Sequence, residues 1–183
     1  MSAEQRAREY FERVSARDPD GMMEFWVPGK GADIHGIVRL VAPDGYRAWF
    51  ANLFAAVPDL RFEVLEVIAG GNRAAVRWRA GGTFDGTATL EGFEPNGAKI
   101  EMTGCDVLTF DGDGMLVDNQ AYTNGMELAR QVGALPPQGS RGERAMARAF
   151  NMKTRLARAL RRSQPHLEGT HGGLRGPGGT RRP

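Results

Sequence analysis

Apolar residues recur along this chain with two different periods, and the change between them separates helical from extended stretches. Ala7, Tyr10, Phe11 and Val14 fall at i, i+3, i+4 and i+7 behind Ser2 and Gln5, a capping-box spacing, so the pattern predicts a first amphipathic helix ending near Arg17. Asp18-Pro19-Asp20-Gly21 closes it, and Met22, Met23, Phe25 and Trp26 read as a short second helix stopped by Val27-Pro28-Gly29. A brief strand is expected from Ile34 to Val41. The third helix carries Tyr46, Trp49, Phe50, Leu53, Phe54 and Val57 and ends at Pro58, which has no N–H to continue it. From Leu60 the period drops to two, with Leu60, Phe62 and Val64 alternating with Arg61 and Glu63 until a slip at Leu65 that suggests a bulge.

Gly70-Gly71-Asn72 supplies residues that tolerate a tight turn, so a hairpin into Arg73–Phe84 follows. Residues 85–97 are rich in Gly and Thr and read as a loop, Lys99–Phe110 as a long strand, and Asp111-Gly112-Asp113-Gly114 as a turn into Met115–Thr123. Gly125–Val132 is a short closing helix ended by Gly133 and Pro136-Pro137. Helices gathered ahead of an antiparallel meander define an α+β domain, with a cone-like curved sheet packed against the N-terminal helices and enclosing a cavity.

The assignment divides the chain into a pocket domain at 1–137, a basic amphipathic helix at 138–162 and an unfolded tail at 163–183. Ser140 and Glu143 form a second capping box, and Met146, Ala149, Phe150, Ala157 and Leu160 mark one face of that helix against arginines on the other. The tail is Gly, Pro, His and Arg with little to bury, too little to offset the entropy of ordering it.

Charge sharpens this division. Residues 1–140 hold 13 basic and 20 acidic side chains, a net −7, whereas residues 141–183 hold 11 basic and 2 acidic, a net +9. The basic character thus belongs to the C-terminal segment and says nothing about what the body binds. One cysteine, Cys105, excludes an internal disulfide, and no Cys or His spacing suggests a metal site. An N-terminus of mixed charge, with no long apolar run anywhere, points to a cytoplasmic protein that is neither exported by a usual signal nor membrane-spanning.

Candidate chemistry centres on the Lys99–Phe110 strand. Ile100, Met102, Gly104, Asp106, Leu108 and Phe110 share one face, and Asp106 is the lone charge in that apolar row. Placed against a cavity, desolvation would raise its pKa and suit it to be a general base or a neutral hydrogen-bond donor. On the next strand Leu116, Asp118, Gln120, Tyr122 and Asn124 share a parity, a polar ladder expected to face the same cavity or else solvent. There Tyr122 would donate to a developing enolate, Asn124 would orient it, and Asp118 would contact the ligand. His35 is a further proton-transfer candidate at a pocket rim. Trp26, Trp78 and Met102 are the candidate ligand-contacting walls, Trp78 foremost, although tryptophans also serve simply as core. Cys105 has the opposite parity and reads as a small buried hydrophobe. Asp111–Gly114 lacks the closing ligands of a calcium loop and reads as a hairpin turn.

Several landmarks resemble the nuclear transport factor 2-like superfamily, in particular its SnoaL-like polyketide cyclase and ketosteroid-isomerase-related branch. They are Phe25-Trp26 followed by Asp33-Ile34-His35, then Val57-Pro58-Asp59-Leu60-Arg61-Phe62-Glu63-Val64. Gly86-Thr87-Ala88-Thr89 through Pro95-Asn96-Gly97, and Phe110–Gly114 with Gln131-Val132-Gly133, complete the set. The resemblance covers roughly residues 4–137 and implies a cystatin-like α+β barrel with an apolar pocket, often a homodimer, working by acid–base chemistry without metal or organic cofactor. It departs at two positions: Ala88 replaces a Thr-flanked His, and Asn124 stands where an acid usually precedes the last helix. The expected function is binding of a small hydrophobic, carbonyl-bearing molecule, with cofactor-independent cyclisation or isomerisation. The alternative is a non-catalytic ligand-binding or protein-interaction module. For the 141–162 helix, contact with nucleic acid or an anionic membrane ranks behind packing of its Met146/Phe150 face on the domain or a dimer.

Overall fold

The computed structural model describes residues 1–162; the segment 163–183, expected to be unfolded, lies outside the described residues. The described residues fall into two units, Met1–Glu143 and a second that begins at Arg144. The first unit begins with helix α1 (Ala3–Ser15), where the Ser2 hydroxyl accepts the Gln5 N–H at 3.2 Å. Helix α2 (Pro19–Met23) follows, capped by Asp18, whose carboxylate accepts the Gly21 N–H at 2.9 Å. Both caps satisfy N–H groups that a helix start otherwise leaves without partners.

Strands β1 (Trp26–Ile34) and β2 (Val38–Val41) form an antiparallel hairpin in place of the single strand expected from Ile34 to Val41. Trp26 accordingly opens a strand and does not close a helix. Pro28, Gly29 and Gly31 disguised β1, since local propensity disfavours a strand there, and tertiary pairing overrides it. Gly31 is required by this pairing: a Cβ would lie 1.8 Å from the Leu40 carbonyl oxygen. Helix α3 (Asp44–Ala56) then buries Tyr46, Phe50 and Phe54, each contributing on the order of 1.5–3 kcal/mol by leaving water.

Four strands complete the sheet: β3 (Arg61–Gly70), β4 (Arg73–Phe84), β5 (Ala98–Phe110) and β6 (Leu116–Thr123). The order is β2-β1-β6-β5-β4-β3, antiparallel except for the parallel β1–β6 pair, and the curved sheet does not close. Pairing of β3 with β4 shifts between Val64 and Glu66, which places the expected bulge at Leu65. A second bulge falls in β6, where Leu116 pairs with Phe110 and Asp118 with Thr109, so that Val117 is skipped. Helix α1 packs on β3 and β4, α3 on β2, and α4 (Gly125–Gln131) on β5, leaving the core between the helices and one face of the sheet. Helix α5 (Arg141–Arg162) starts with the Ser140 hydroxyl accepting the Glu143 N–H at 3.1 Å, while the Glu143 carboxylate reaches one residue past the expected capping-box partner and accepts the Gly139 N–H at 2.6 Å.

Candidate functional site

Strand β5 carries Asp106 into the interior, because strict alternation from Ile100 to Phe110 turns one set of side chains inward. Asp106 is 8% exposed and, tyrosines and tryptophans aside, is one of two polar residues buried in the core among the described residues. The other is Asn119 on β6, 1% exposed. The two meet, with the Asn119 amide donating to Asp106 Oδ2 at 2.7 Å. From the opposite side the Trp78 indole N–H donates to Asp106 Oδ1 at 2.8 Å. Register explains both bonds. Trp78 pairs with Gly104, two residues before Asp106, and Asn119 pairs with Leu108, two residues after it. Each neighbouring strand thus reaches the carboxylate along a diagonal.

Gly104 makes room for this arrangement. A Cβ there would sit 2.3 Å from the Trp78 ring, so the indole lies flat over bare backbone and extends to Asp106. Phe62 backs the same indole with ring centroids 5.4 Å apart. Above the sheet the Tyr10 hydroxyl of α1 donates to the Tyr46 hydroxyl of α3 at 2.9 Å, fully buried.

Burial dominates the electrostatics. Desolvation pushes the Asp106 carboxyl above the ordinary value of 3.8, while the two donors hold it down. Desolvation also raises both phenols, Tyr46 further by the Asp106 charge and Tyr10 further by Tyr46, so both stay protonated. The Cys105 thiol, on the other face of β5, is pushed up by partial burial and then by Asp106, which leaves it a poor nucleophile.

An apolar cavity of about 100 Å³ lies against this cluster, walled by Trp78, Met102, Phe62, Phe50, Tyr10 and Tyr46 among others, with Asp106 and Asn119 on its lining. A wider hollow of about 540 Å³ adjoins it, sharing Ile37, Leu90, Glu91, Thr123 and Leu128 as walls. At this mouth the Trp49 N–H donates to the Glu91 carboxylate at 3.2 Å.

The residues singled out from the sequence are dispersed. Asp106, Trp78 and Met102 line the inner cavity. Trp26 is buried beneath it, 2% exposed, its ring centroid 5.0 Å from that of Tyr46. His35 and Asn124 line the wider hollow, and Asn124 caps α4 by accepting the Glu127 N–H at 3.2 Å. Tyr122 is 50% exposed on the outer side of the sheet, stacked on His35 with centroids 4.3 Å apart. His35 Nε2 is hydrogen-bonded to Gln120 Oε1 at 2.8 Å, and the Gln120 amide donates to Asp118 at 2.8 Å. The expected ladder of Asp118, Gln120 and Tyr122 therefore does not face the cavity. The skipped Val117 inverts the alternation after Leu116, so Asn119, Ala121 and Thr123 line the cavity in its place.

Asn119, Tyr10 and Tyr46 are the polar groups that sequence reasoning missed at this site. Tyr10 and Tyr46 lay on the apolar faces of predicted helices, and a buried tyrosine hydroxyl needs a partner, which was the available signal. Of the described residues, no His, Cys, Asp and Glu come together in a group able to hold a metal ion.

A curved sheet covered on one face by helices, with one acid clamped beside an apolar hollow, defines an α+β fold with an internal pocket. Residues 7–119, more than half of the chain, match the model of the SnoaL-like domain, and the chain belongs to that family. No curated protein matches it. Solved structures share the fold. A putative hydroxylase, AclR from Streptomyces galilaeus, is 22% identical over 87% of this chain and 94% of its own, with a TM-score of 0.64. A putative SnoaL-like polyketide cyclase from Jannaschia sp. CCS1 is 22% identical over 74% and 96%, with a TM-score of 0.62. A Catenulispora acidiphila protein with a ketosteroid isomerase-like fold is 13% identical over 70% and 92%, with a TM-score of 0.58.

Proposed function

We propose that the chain takes a small hydrophobic, carbonyl-bearing molecule into the inner cavity and isomerises or cyclises it, with Asp106 moving the proton. The carrying observation is a carboxylate 8% exposed, anchored from two sides and lining an apolar hollow. Desolvation makes that carboxylate a stronger base than a solvated one, and its two donors fix where its remaining lone pairs point.

In the reaction Asp106 accepts a proton from the carbon beside the substrate carbonyl, and the C–H electron pair passes into the carbonyl unit to give an enolate. Where the enolate is conjugated with a C=C bond, return of the proton to its far carbon isomerises the substrate; attack of the enolate carbon on a second carbonyl instead closes a ring, and Asp106 gives its proton to the alkoxide so formed. With Tyr10 donating to Tyr46, the Tyr46 hydroxyl retains its own hydrogen for an oxygen in the cavity, the kind of donor that stabilises an enolate. Tyr122 lies on the outer side of the sheet and His35, bonded to Gln120, lines only the wider hollow, so neither moves a proton in this scheme. A homodimer, implied by the family resemblance, belongs to the same proposal, and light scattering on the purified chain tests it.

A second reading has its own support. Both Asp106 oxygens already accept a hydrogen bond, as in a structural acid, so a pocket that retains a ligand without turnover fits the same geometry. One experiment separates the two. The α-hydrogens of β-tetralone are followed by NMR in deuterated buffer with the wild type and with Asp106→Asn. The catalytic reading expects accelerated exchange, lowered on the order of 10²-fold or more by the substitution. Binding with exchange at the buffer rate establishes the retention reading.

A further inference from the structure

Helix α5 carries a second feature that the pocket does not use. Residues 144–162 hold seven basic side chains and no acidic one. At helical spacing Met146, Phe150, Met152, Leu156 and Leu160 fall within an arc of about 160°. Arg144, Arg148, Arg155 and Arg158 fall within about 80° on the opposite side. The apolar arc stands in solvent, with Met146 48% exposed, Phe150 68% and Leu156 62%. Water is a poor environment for so many large apolar groups on a single helix.

We infer that α5 is a membrane-surface helix, lying in the plane of an anionic bilayer with Phe150, Leu156 and Leu160 in the acyl boundary and its arginines on lipid headgroups. Charge selects this occupant. A second copy of α5 would set seven cations against seven with no carboxylate in the segment to relieve them. A nucleic acid would engage the arginines and leave the apolar arc in water. An anionic lipid surface accounts for both faces. Lys153, which falls inside the apolar arc, fits it through its long stem, which reaches the headgroups from an immersed backbone. At 22 residues the helix is about 33 Å long, and no helix among the described residues is long and apolar enough to cross a membrane, so α5 lies on the surface.

The test is co-sedimentation of the full chain with vesicles of phosphatidylcholine alone or containing ~30% phosphatidylglycerol. Two double variants accompany it, F150S/L156S and R148E/R155E. These four side chains are exposed, so unchanged thermal unfolding of the protein serves as the folding control. The wild type should bind the anionic vesicles at least about tenfold more tightly than the neutral ones, and the difference should shrink as salt rises to ~0.5 M. Each double variant should weaken anionic binding by about tenfold or more. Failure of the wild type to bind anionic vesicles at low salt overturns the inference. So does capture by a duplex oligonucleotide that F150S/L156S leaves intact while vesicle binding is absent, or a change in oligomeric state as the sole effect of that variant.

Discussion

The two faces of the β5–β6 ribbon hold similar groups in opposite circumstances. Inside, Trp78, Asp106 and Asn119 exchange short hydrogen bonds within the buried core, with Tyr10 and Tyr46 paired nearby. Outside, His35, Gln120 and Asp118 form a chain of comparable length, beside Tyr122, in contact with water. The difference lies in what a lost partner is replaced by. Water substitutes at once for a partner removed from the outer chain, whereas a group stranded inside keeps its desolvation cost. Polar residues of one type are thus neutral on one side of a strand and decisive on the other.

Breaking the inner cluster should therefore cost most. Asn119→Leu keeps the number and branching of the side-chain heavy atoms but leaves Asp106 Oδ2 without its donor, and about 2–4 kcal/mol of stability is expected to go, measured by urea unfolding. A loss under ~0.5 kcal/mol would mean that the bond matters no more than one at the surface. Gly104→Ala comes next. The added methyl must displace the indole that lies across that glycine, at a cost on the order of 1–3 kcal/mol and with a shift in tryptophan fluorescence as the Trp78 bond to Asp106 lengthens.

Acidity sharpens the contrast without removing atoms. Because burial holds the Asp106 carboxyl above the ordinary 3.8, the folded protein binds that proton more tightly than the unfolded chain does. Its contribution to stability is complete below the unfolded value and disappears as pH rises through the folded one. Wild type should accordingly lose stability relative to Asp106→Asn as pH rises above about 4. Parallel unfolding midpoints for the two proteins across that range would contradict the assignment. The smallest effect is expected outside, where Tyr122→Phe keeps the stack on His35 and should change stability by less than ~0.5 kcal/mol in the same urea measurement.

The sequence carries part of this arrangement openly. Alternation from Ile100 to Phe110 marked Asp106 as a lone acid in an apolar row, and helical spacing located α1 and α3, because both signals are periodic and local. The Leu65 bulge was legible for the same reason, as a visible slip in period. Strand β1 was not, since Pro28, Gly29 and Gly31 favour a loop until β2 and β6 pair with it from either side. Asn119 was hidden for a subtler reason. A bulge that skips Val117 leaves no mark in a stretch where polar and apolar residues are mixed, so carrying the parity on from Leu116 chose the wrong set of side chains. The contribution of Tyr10 and Tyr46 depends on two helices meeting, which no local pattern encodes.

The skipped Val117 has a further consequence. Leu116 and Asn119 both occupy interior seats, yet three positions apart they have opposite parity in an unbroken strand, and only an extra residue between them reconciles the two. The ribbon works like a zip with one tooth left out on purpose. Excising Val117 would put Leu116 and Asn119 two positions apart and leave the cluster as it is, whereas zipping the ribbon with Val117 engaged would turn it inside out, handing the carboxylate Asp118 in place of its amide.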